Sequence, residues 1–174
     1  MDIRFQADDF FNAYQVLRTD GENKFKRRKP SGGVGGFEDG LPVMCAGVVC
    51  LAFSVELYIK DLHFAVTGKT PYGHDILKLY EGLPEEVRQK VFSHETISQN
   101  PFATSGNIFS PKRFTSAYSA YDGFIDQIKA ISDGFEKWRY SYERTTLKYE
   151  EWFALVFIEA VKSVADTIRT RSAA

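Results

Sequence analysis

The chain has 174 residues, a length typical of a single domain that can bury a core of its own. With 44% apolar and 26% charged residues, its composition is that of a folded globular protein and excludes a disordered one. The formal net charge of −1 excludes a chain that is basic as a whole, so any contact with nucleic acid would have to come from a local patch.

The first forty residues divide into a predicted helix and a predicted loop. Residues 2–17 place apolar side chains at helical spacing, which predicts an amphipathic helix. Residues 19–40 hold a basic tract and a group of five glycines between positions 32 and 40, which predicts a long flexible or functional loop. The glycines do not follow the phosphate-binding pattern GxxxxGK with a following Ser or Thr, so no nucleotide cofactor is expected.

The basic tract at residues 24–29 allows two interpretations. Five of its six residues are cationic, and such a concentration of charge is suited to a polyanion such as RNA. A solvated loop has the same composition, however. The candidate nucleic-acid contacts in this tract are Lys24, Lys26, Arg27, Arg28 and Lys29.

Residues 42–67 are predicted to form one long central helix. Pro42 suits the first helical turn, and Gly68 suits the position just after the last turn. The sequence is apolar nearly all round from residue 43 to residue 53, so we expect neighbouring helices to cover it there. From Glu56 onward polar residues share one face, and Glu56 and Lys60 have the i, i+4 spacing of a helical ion pair.

Two features predict a soluble, cytoplasmic protein with no membrane partner. The apolar run at residues 41–55 stops at Glu56, which makes it too short to cross a bilayer. Cys45 and Cys50 are expected on different faces of the same helix and should not form a disulfide. Free thiols without a signal-peptide pattern are typical of a reducing compartment.

The rest of the chain predicts further helices and no sheet. Asn100-Pro101 and Ser105-Gly106 indicate an irregular stretch at residues 95–109. Helical patterns cover four other segments, residues 74–83, 85–92, 110–135 and 148–169. The predicted fold class is all-α, with four or five helices including one long central helix. Residues 1–40 would supply an N-terminal helix and loop, and residues 41–174 the helical bundle.

Three sequence pieces, in this order, resemble a prokaryotic HEPN-like family. They are CLAFSVELYIKDL at residues 50–62, GHDILKLYEGLP at 73–84 and WRYSYE at 138–143. The resemblance covers residues 42–170. It implies a bundle of four or five helices that pairs into a homodimer. Many members of the family look like metal-independent endoribonucleases of toxin–antitoxin or phage-defence systems, and others are binding modules without catalysis.

The resemblance also implies a catalytic motif from which this chain departs. Nuclease members carry Arg and His separated by four to six residues, with Arg on the scissile phosphate and His transferring a proton. The literal match here, Arg88 and His94, lies earlier in the chain than the family's motif does. At the expected place stand Arg139 and Glu143, with no histidine between them.

His74 is the candidate proton-transfer group, with Arg139 and Glu143 as its predicted catalytic neighbours. A histidine tuned by Asp75 or Glu56 suits acid–base catalysis, and Arg139 offers a planar fork for a phosphate. The alternative assignment for His74 and Asp75 is structural, with Asp75 capping the following helix.

A polar network is predicted around the same residues. No metal site is predicted. Because the resemblance brings the three pieces together, it implies that Glu56 and Lys60 pair with His74, Arg139 and Glu143, tying the long helix to the segment before the last helix. Tyr140 could stack on an RNA base, or pack in the core instead. Three dispersed histidines and two cysteines have no metal-ligand spacing.

Two classes of function therefore remain open. The first is an RNA-directed protein, either a metal-independent endoribonuclease or its RNA-binding relative, in a defence or toxin–antitoxin system. The second is a non-catalytic helical module that dimerises or binds a cognate partner protein. The second predicts that the polar network is fully paired and closed to solvent, and an open cleft displaying His74 and Arg139 would count against it.

Overall fold

The computed structural model describes residues 2–26, 41–105, 118–132 and 149–172 of the chain. Within these ranges all regular structure is helical and no strand occurs, which confirms the all-α prediction. In chain order the helices are α1 (Ile3–Lys26), α2 (Leu41–Thr67), α3 (Ile76–Glu81), α4 (Glu85–Phe92), α5 (Glu95–Ser98), α6 (Pro101–Thr104), α7 (Ala120–Ser132) and α8 (Glu151–Ser172).

Three long helices, α1, α2 and α8, pack side by side and form the frame of the fold. Helix α1 is antiparallel to α2, since Arg4 contacts Asp61 whereas Asp8 contacts Tyr58. The same Arg4 reaches Asp166 near the end of α8, so α1 is antiparallel to α8 as well. Helix α1 contributes buried Ala7 and Tyr14 to a core that is continuous with that of the other helices.

Helix α1 extends eight residues beyond the point where the glycine-based prediction placed a loop. It continues to Lys26, so the prediction of a loop from residue 19 is wrong for residues 19–26. Two i, i+4 ion pairs, Arg18 with Glu22 and Asp20 with Lys24, stabilise this last part of the helix. The five glycines on which the loop prediction rested, at positions 32 to 40, lie outside the described residues.

Helix α2 is the predicted long central helix, with bounds within one residue of those expected. Its middle is fully buried, with Leu51, Val55 and Ile59 inside the core. Its first turns are less covered than predicted, because Met44 is exposed and the residues around it are half-buried. By length and composition the segment Val43–Thr67 could cross a membrane, so the prediction that the apolar run is too short to do so is wrong. Half of its most apolar window is buried inside the protein.

The shorter helices close one end of the core around a cluster of aromatic rings. Phe124 of α7 lies at its centre, with ring centroids 5.6 Å from Tyr80 and 5.8 Å from Phe153. The segment predicted as irregular after residue 95 contains two one-turn helices, α5 and α6. His94 and Asn100 cap them by accepting hydrogen bonds from backbone amides. Local capping thus creates helical turns that a periodicity argument does not detect.

The end of the chain agrees with its predicted elements where the structure describes it. Helix α7 lies inside the helix predicted for residues 110–135, of which residues 110–117 and 133–135 lie outside the described part. Helix α8 begins three residues later and ends three residues later than predicted. Its buried face carries both large side chains, such as Phe153 and Phe157, and small ones, such as Ala154 and Ala160.

Candidate functional site

The buried carboxylate of Glu56 and the solvent-exposed imidazole of His74 form the centre of the candidate site. The Glu56 side chain is 2% exposed on α2, and its Oε1 and Oε2 atoms lie 3.0 and 3.1 Å from Nδ1 of His74. The His74 side chain is 61% exposed. Lys60, one turn further along α2, donates to Oε1 of Glu56 over 2.7 Å. The predicted Glu56–Lys60 pair is therefore present, with His74 as the second partner of the carboxylate.

This contact sets the protonation pattern of the imidazole. An ionised carboxylate only accepts hydrogen bonds, so Nδ1 of His74 must carry the hydrogen in order to donate to Glu56. In the neutral ring the other nitrogen, Nε2, then has a lone pair. Nε2 is consequently the nitrogen that a reacting group would approach, with Glu56 holding the ring in place from behind.

His74 is positioned by the loop between α2 and α3. The loop leaves α2 at Gly68 and reaches Gly73 with φ of +99°, a left-handed conformation that glycine adopts without strain. Asp75 then caps α3, since its side chain accepts a hydrogen bond from the backbone amide of Lys78 over 3.1 Å. The capping role predicted for Asp75 is confirmed. The ring of His74, however, contacts Glu56 rather than the preceding turn.

An open groove of about 640 Å³ adjoins His74. Its floor includes His63, whose Nε2 lies 2.7 Å from the carbonyl oxygen of Leu79, and Ser132, whose hydroxyl accepts from the backbone amide of Leu77. These two contacts tie the floor to α2, α3 and α7. The volume lies within the range of grooves that hold small molecules or parts of larger ones.

The groove is also lined by two exposed side chains that were not among the predicted site residues. Tyr72 is 100% exposed, and the Lys78 side chain is 82% exposed. The sequence does carry a signal for Tyr72, because an aromatic residue between Pro71 and Gly73 must lie in a loop. Helical periodicity predicts nothing about a residue in a loop, so it does not identify Tyr72 as a site residue.

The literal Arg–His match lies away from this groove and serves local structure. Arg88 pairs with Glu85 on the same helix, and its backbone carbonyl accepts from the hydroxyl of Tyr80. Nδ1 of His94 caps α5 by contacting the backbone amide and the hydroxyl of Thr96. Neither residue lines the groove beside His74.

The remaining predicted site residues divide between described and undescribed parts of the chain. Lys24 is described and pairs with Asp20 over 2.7 Å, whereas Lys26 is the last residue of α1. The other predicted residues lie outside the described ranges, and their assignments stay predictions: Arg27, Arg28, Lys29, Arg139, Tyr140 and Glu143.

A second polar cluster lies on another face of α2 and was not predicted. Asp61 is buried and accepts from Arg4 of α1 over 2.9 Å and from Arg169 of α8. Close by, the hydroxyl of Tyr58 donates to Asp8 over 2.5 Å. Burial raises the pKa of Tyr58, and the hydrogen bond to Asp8 raises it further. These contacts join the three long helices. An open groove of about 650 Å³ along α8 lies beside them and is lined in part by Lys162 and Asp166.

The described residues include no group of three or more His, Cys, Asp or Glu side chains that could hold a metal ion. The groove offers an oriented imidazole, a buried carboxylate and nearby ammonium groups. Comparison of the chain with models of protein families, with curated proteins and with solved structures finds no match of any of the three kinds.

Proposed function

We propose that this chain is an RNA-directed protein of the HEPN-like type, and specifically a metal-independent endoribonuclease in which His74 transfers the proton. The observation that carries the proposal is the His74–Glu56 contact. A buried carboxylate holds a histidine that is largely exposed beside an open groove. The exposure of His74 counts against a network that is closed to solvent, as a purely structural role predicts.

The reaction needs no group beyond those that RNA and the chain supply. Nε2 of His74 takes the proton from a ribose 2′-hydroxyl, and the 2′-oxygen attacks the adjacent phosphorus. The bond from phosphorus to the 5′-oxygen breaks, leaving a 2′,3′-cyclic phosphate and a 5′-hydroxyl that takes up a proton. The imidazolium formed at His74 is stabilised by Glu56, as an oriented carboxylate stabilises it in other acid–base dyads.

Positive charge near the groove would stabilise the phosphate during this reaction. Lys60 shares the Glu56 carboxylate with His74, and Lys78 lines the groove itself. Arg139 is proposed as a further phosphate ligand on the strength of the resemblance, and Glu143 as its neighbour. In the same way we propose a cytoplasmic homodimer that works with a cognate partner protein in a defence or toxin–antitoxin pair.

A specific observation favours the alternative of a non-catalytic interaction module. The first turns of α2 are apolar yet only half-buried, and Met44 there is exposed. An apolar helix end of this kind is suited to a contact with a second copy or another protein. The alternative does not depend on the orientation of His74. A substitution of His74 should therefore affect a nuclease and leave an interaction module unchanged.

The test is cleavage of single-stranded RNA by the purified full chain in the presence of EDTA. We expect fragments ending in a 2′,3′-cyclic phosphate, and a loss of at least about 100-fold in rate for His74→Ala. The matched control is His94→Ala, which removes the other candidate histidine outside the groove and should leave the rate unchanged.

The outcomes separate the possible functions. Salt-sensitive RNA binding without cleavage would support the RNA-binding relative and overturn the nuclease. Absence of both cleavage and salt-sensitive binding would overturn the RNA-directed function as a whole. Cleavage that survives His74→Ala and disappears with His94→Ala would move the catalytic site to the Arg88–His94 segment.

A further inference from the structure

We infer that Tyr72 recognises the substrate by stacking on an unpaired nucleobase, so that the groove beside His74 takes single-stranded RNA. The inference rests on the proposed function and adds to it the class of substrate. Tyr72 lines the same groove as His74 and lies two residues before it in the chain. A base on Tyr72 would therefore be attached to a backbone that passes the imidazole.

The exposure of Tyr72 to solvent is the first observation that supports this inference. Its side chain is fully exposed, and proline precedes it in the chain. Pro71 fixes its own backbone φ angle, and Gly73 has the left-handed φ of +99°. The ring is thus presented from a loop of defined shape, which reduces the conformational entropy lost when a base stacks on it.

The charges around Tyr72 are the second observation. Lys69 and Lys78, on either side of Tyr72 in the chain, are both exposed, and Lys78 lines the groove. Asp75 offsets one of these charges, since its carboxylate lies 3.7 Å from the ammonium group of Lys78. An aromatic ring flanked by ammonium groups is the combination with which single-strand binding proteins hold a base and its phosphates.

The geometry favours a single strand over a duplex because a stacking ring needs the face of an unstacked base. It also favours a nucleic acid over a protein partner. A groove that ends at a carboxylate-held imidazole places any bound chain next to a group suited to proton transfer, which a protein contact would not use. A protein partner on Tyr72 is consequently an outcome that the test must be able to reveal.

The experiment measures binding of a short single-stranded oligoribonucleotide to the full chain. We expect Tyr72→Ala to raise the Kd by about 5- to 100-fold, and Tyr72→Phe to leave it nearly unchanged because the ring face is retained. The matched control is Phe5→Ala, which removes another exposed aromatic ring from α1, outside the groove. Since Tyr72 is fully exposed, its variants should keep the melting temperature of the unmodified chain.

Two further readouts tie the effect to base stacking. In cleavage assays Tyr72→Ala should raise KM and leave kcat unchanged, because the ring contacts the base and not the reacting phosphate. A series of oligonucleotides, each lacking the base at one position, locates the contact. The difference in Kd between Tyr72→Ala and the unmodified chain should disappear for one member of the series.

The inference and the proposed function fail in different ways. If His74→Ala abolishes cleavage while Tyr72→Ala changes neither Kd nor KM, the stacking role is overturned and the nuclease stands. If Tyr72→Ala leaves RNA binding intact but disrupts self-association of the chain or its contact with another protein, Tyr72 belongs to a protein interface and the inference is overturned.

Discussion

The carboxylate of Asp61 on α2 accepts a hydrogen bond from Nε of Arg4 on α1 over 2.9 Å, and Asp61 is only 1% exposed. The other oxygen of the same carboxylate pairs with Arg169 on α8. One buried side chain therefore joins three helices that come from the beginning, the middle and the end of the chain. The stability of the frame depends on this charge, because both guanidinium groups are oriented by it.

We predict that Asp61→Asn lowers the free energy of unfolding by about 3 kcal/mol, because it removes the buried counter-charge of Arg4 and Arg169 and leaves them only the exposed carboxylate of Asp166. Urea denaturation followed by circular dichroism measures this change. The control is Asp166→Asn: Asp166 also pairs with Arg4, but its side chain is 60% exposed, so the cost should stay below about 1 kcal/mol. Equal losses for the two variants would contradict a central role for Asp61.

We predict that the neutral ring of His74 carries its hydrogen on Nδ1, because Glu56 accepts a hydrogen bond there. In Glu56→Gln, the amide oxygen can still accept from Lys60, while the amide nitrogen donates to Nδ1 and favours the opposite tautomer. Nitrogen-15 NMR of the imidazole distinguishes the two forms. In the nuclease proposal kcat should then fall by about 100-fold or more, as expected when the wrong tautomer faces the substrate. An unchanged tautomer in the variant would refute this account of Glu56.

We predict that Gly47→Ala stabilises the protein by about 0.5–1 kcal/mol, since alanine forms helix better than glycine. A Cβ atom at Gly47 would lie 3.6 Å from Cβ of Leu17 and 3.9 Å from the backbone nitrogen of Arg18, which are ordinary van der Waals distances. Gly47→Leu has no such space between α1 and α2 and should cost about 1–3 kcal/mol. Thermal unfolding of both variants checks the prediction, and a stabilising leucine would show that the two helices are not in close contact there.

We predict that the protein loses stability as the pH rises from about 10 towards 12. Burial raises the pKa of Tyr14 from 10.0 to about 12, and the hydrogen bond to Glu151 acts in the same direction. Between these pH values the hydroxyl is ionised in the unfolded chain but neutral in the folded one, so ionisation favours unfolding. Burial likewise raises the pKa of Tyr80 and of Tyr149.

Denaturation midpoints measured at neutral pH and at increasing alkaline pH test this expectation. Tyr14→Phe lacks one of the ionising groups, so its midpoint should fall less steeply over the same range, although it starts lower because the bond to Glu151 is lost. A midpoint that is constant through the alkaline range would show that these tyrosines ionise equally well in the folded and unfolded chain.

The sequence by itself determined the features that depend on neighbouring residues. Helix α2 follows from a proline in its first turn, an apolar run and Gly68 after its end, and the Glu56–Lys60 pair follows from i, i+4 spacing. The cap at Asp75 is equally local. Such features are predictable because the energies that create them act within one or two helical turns.

Only the tertiary structure decided which distant residues meet. The loop after α2 brings His74 back to Glu56 across 18 residues, a contact that the family resemblance suggested but that no helical periodicity contains. Asp61 meets Arg4 and Arg169 because three long helices pack together, and nothing in the sequence around any of the three indicates the others. Exposure is likewise a property of the whole fold. Tyr72 is fully exposed, while Tyr80, in the next helix, is completely buried.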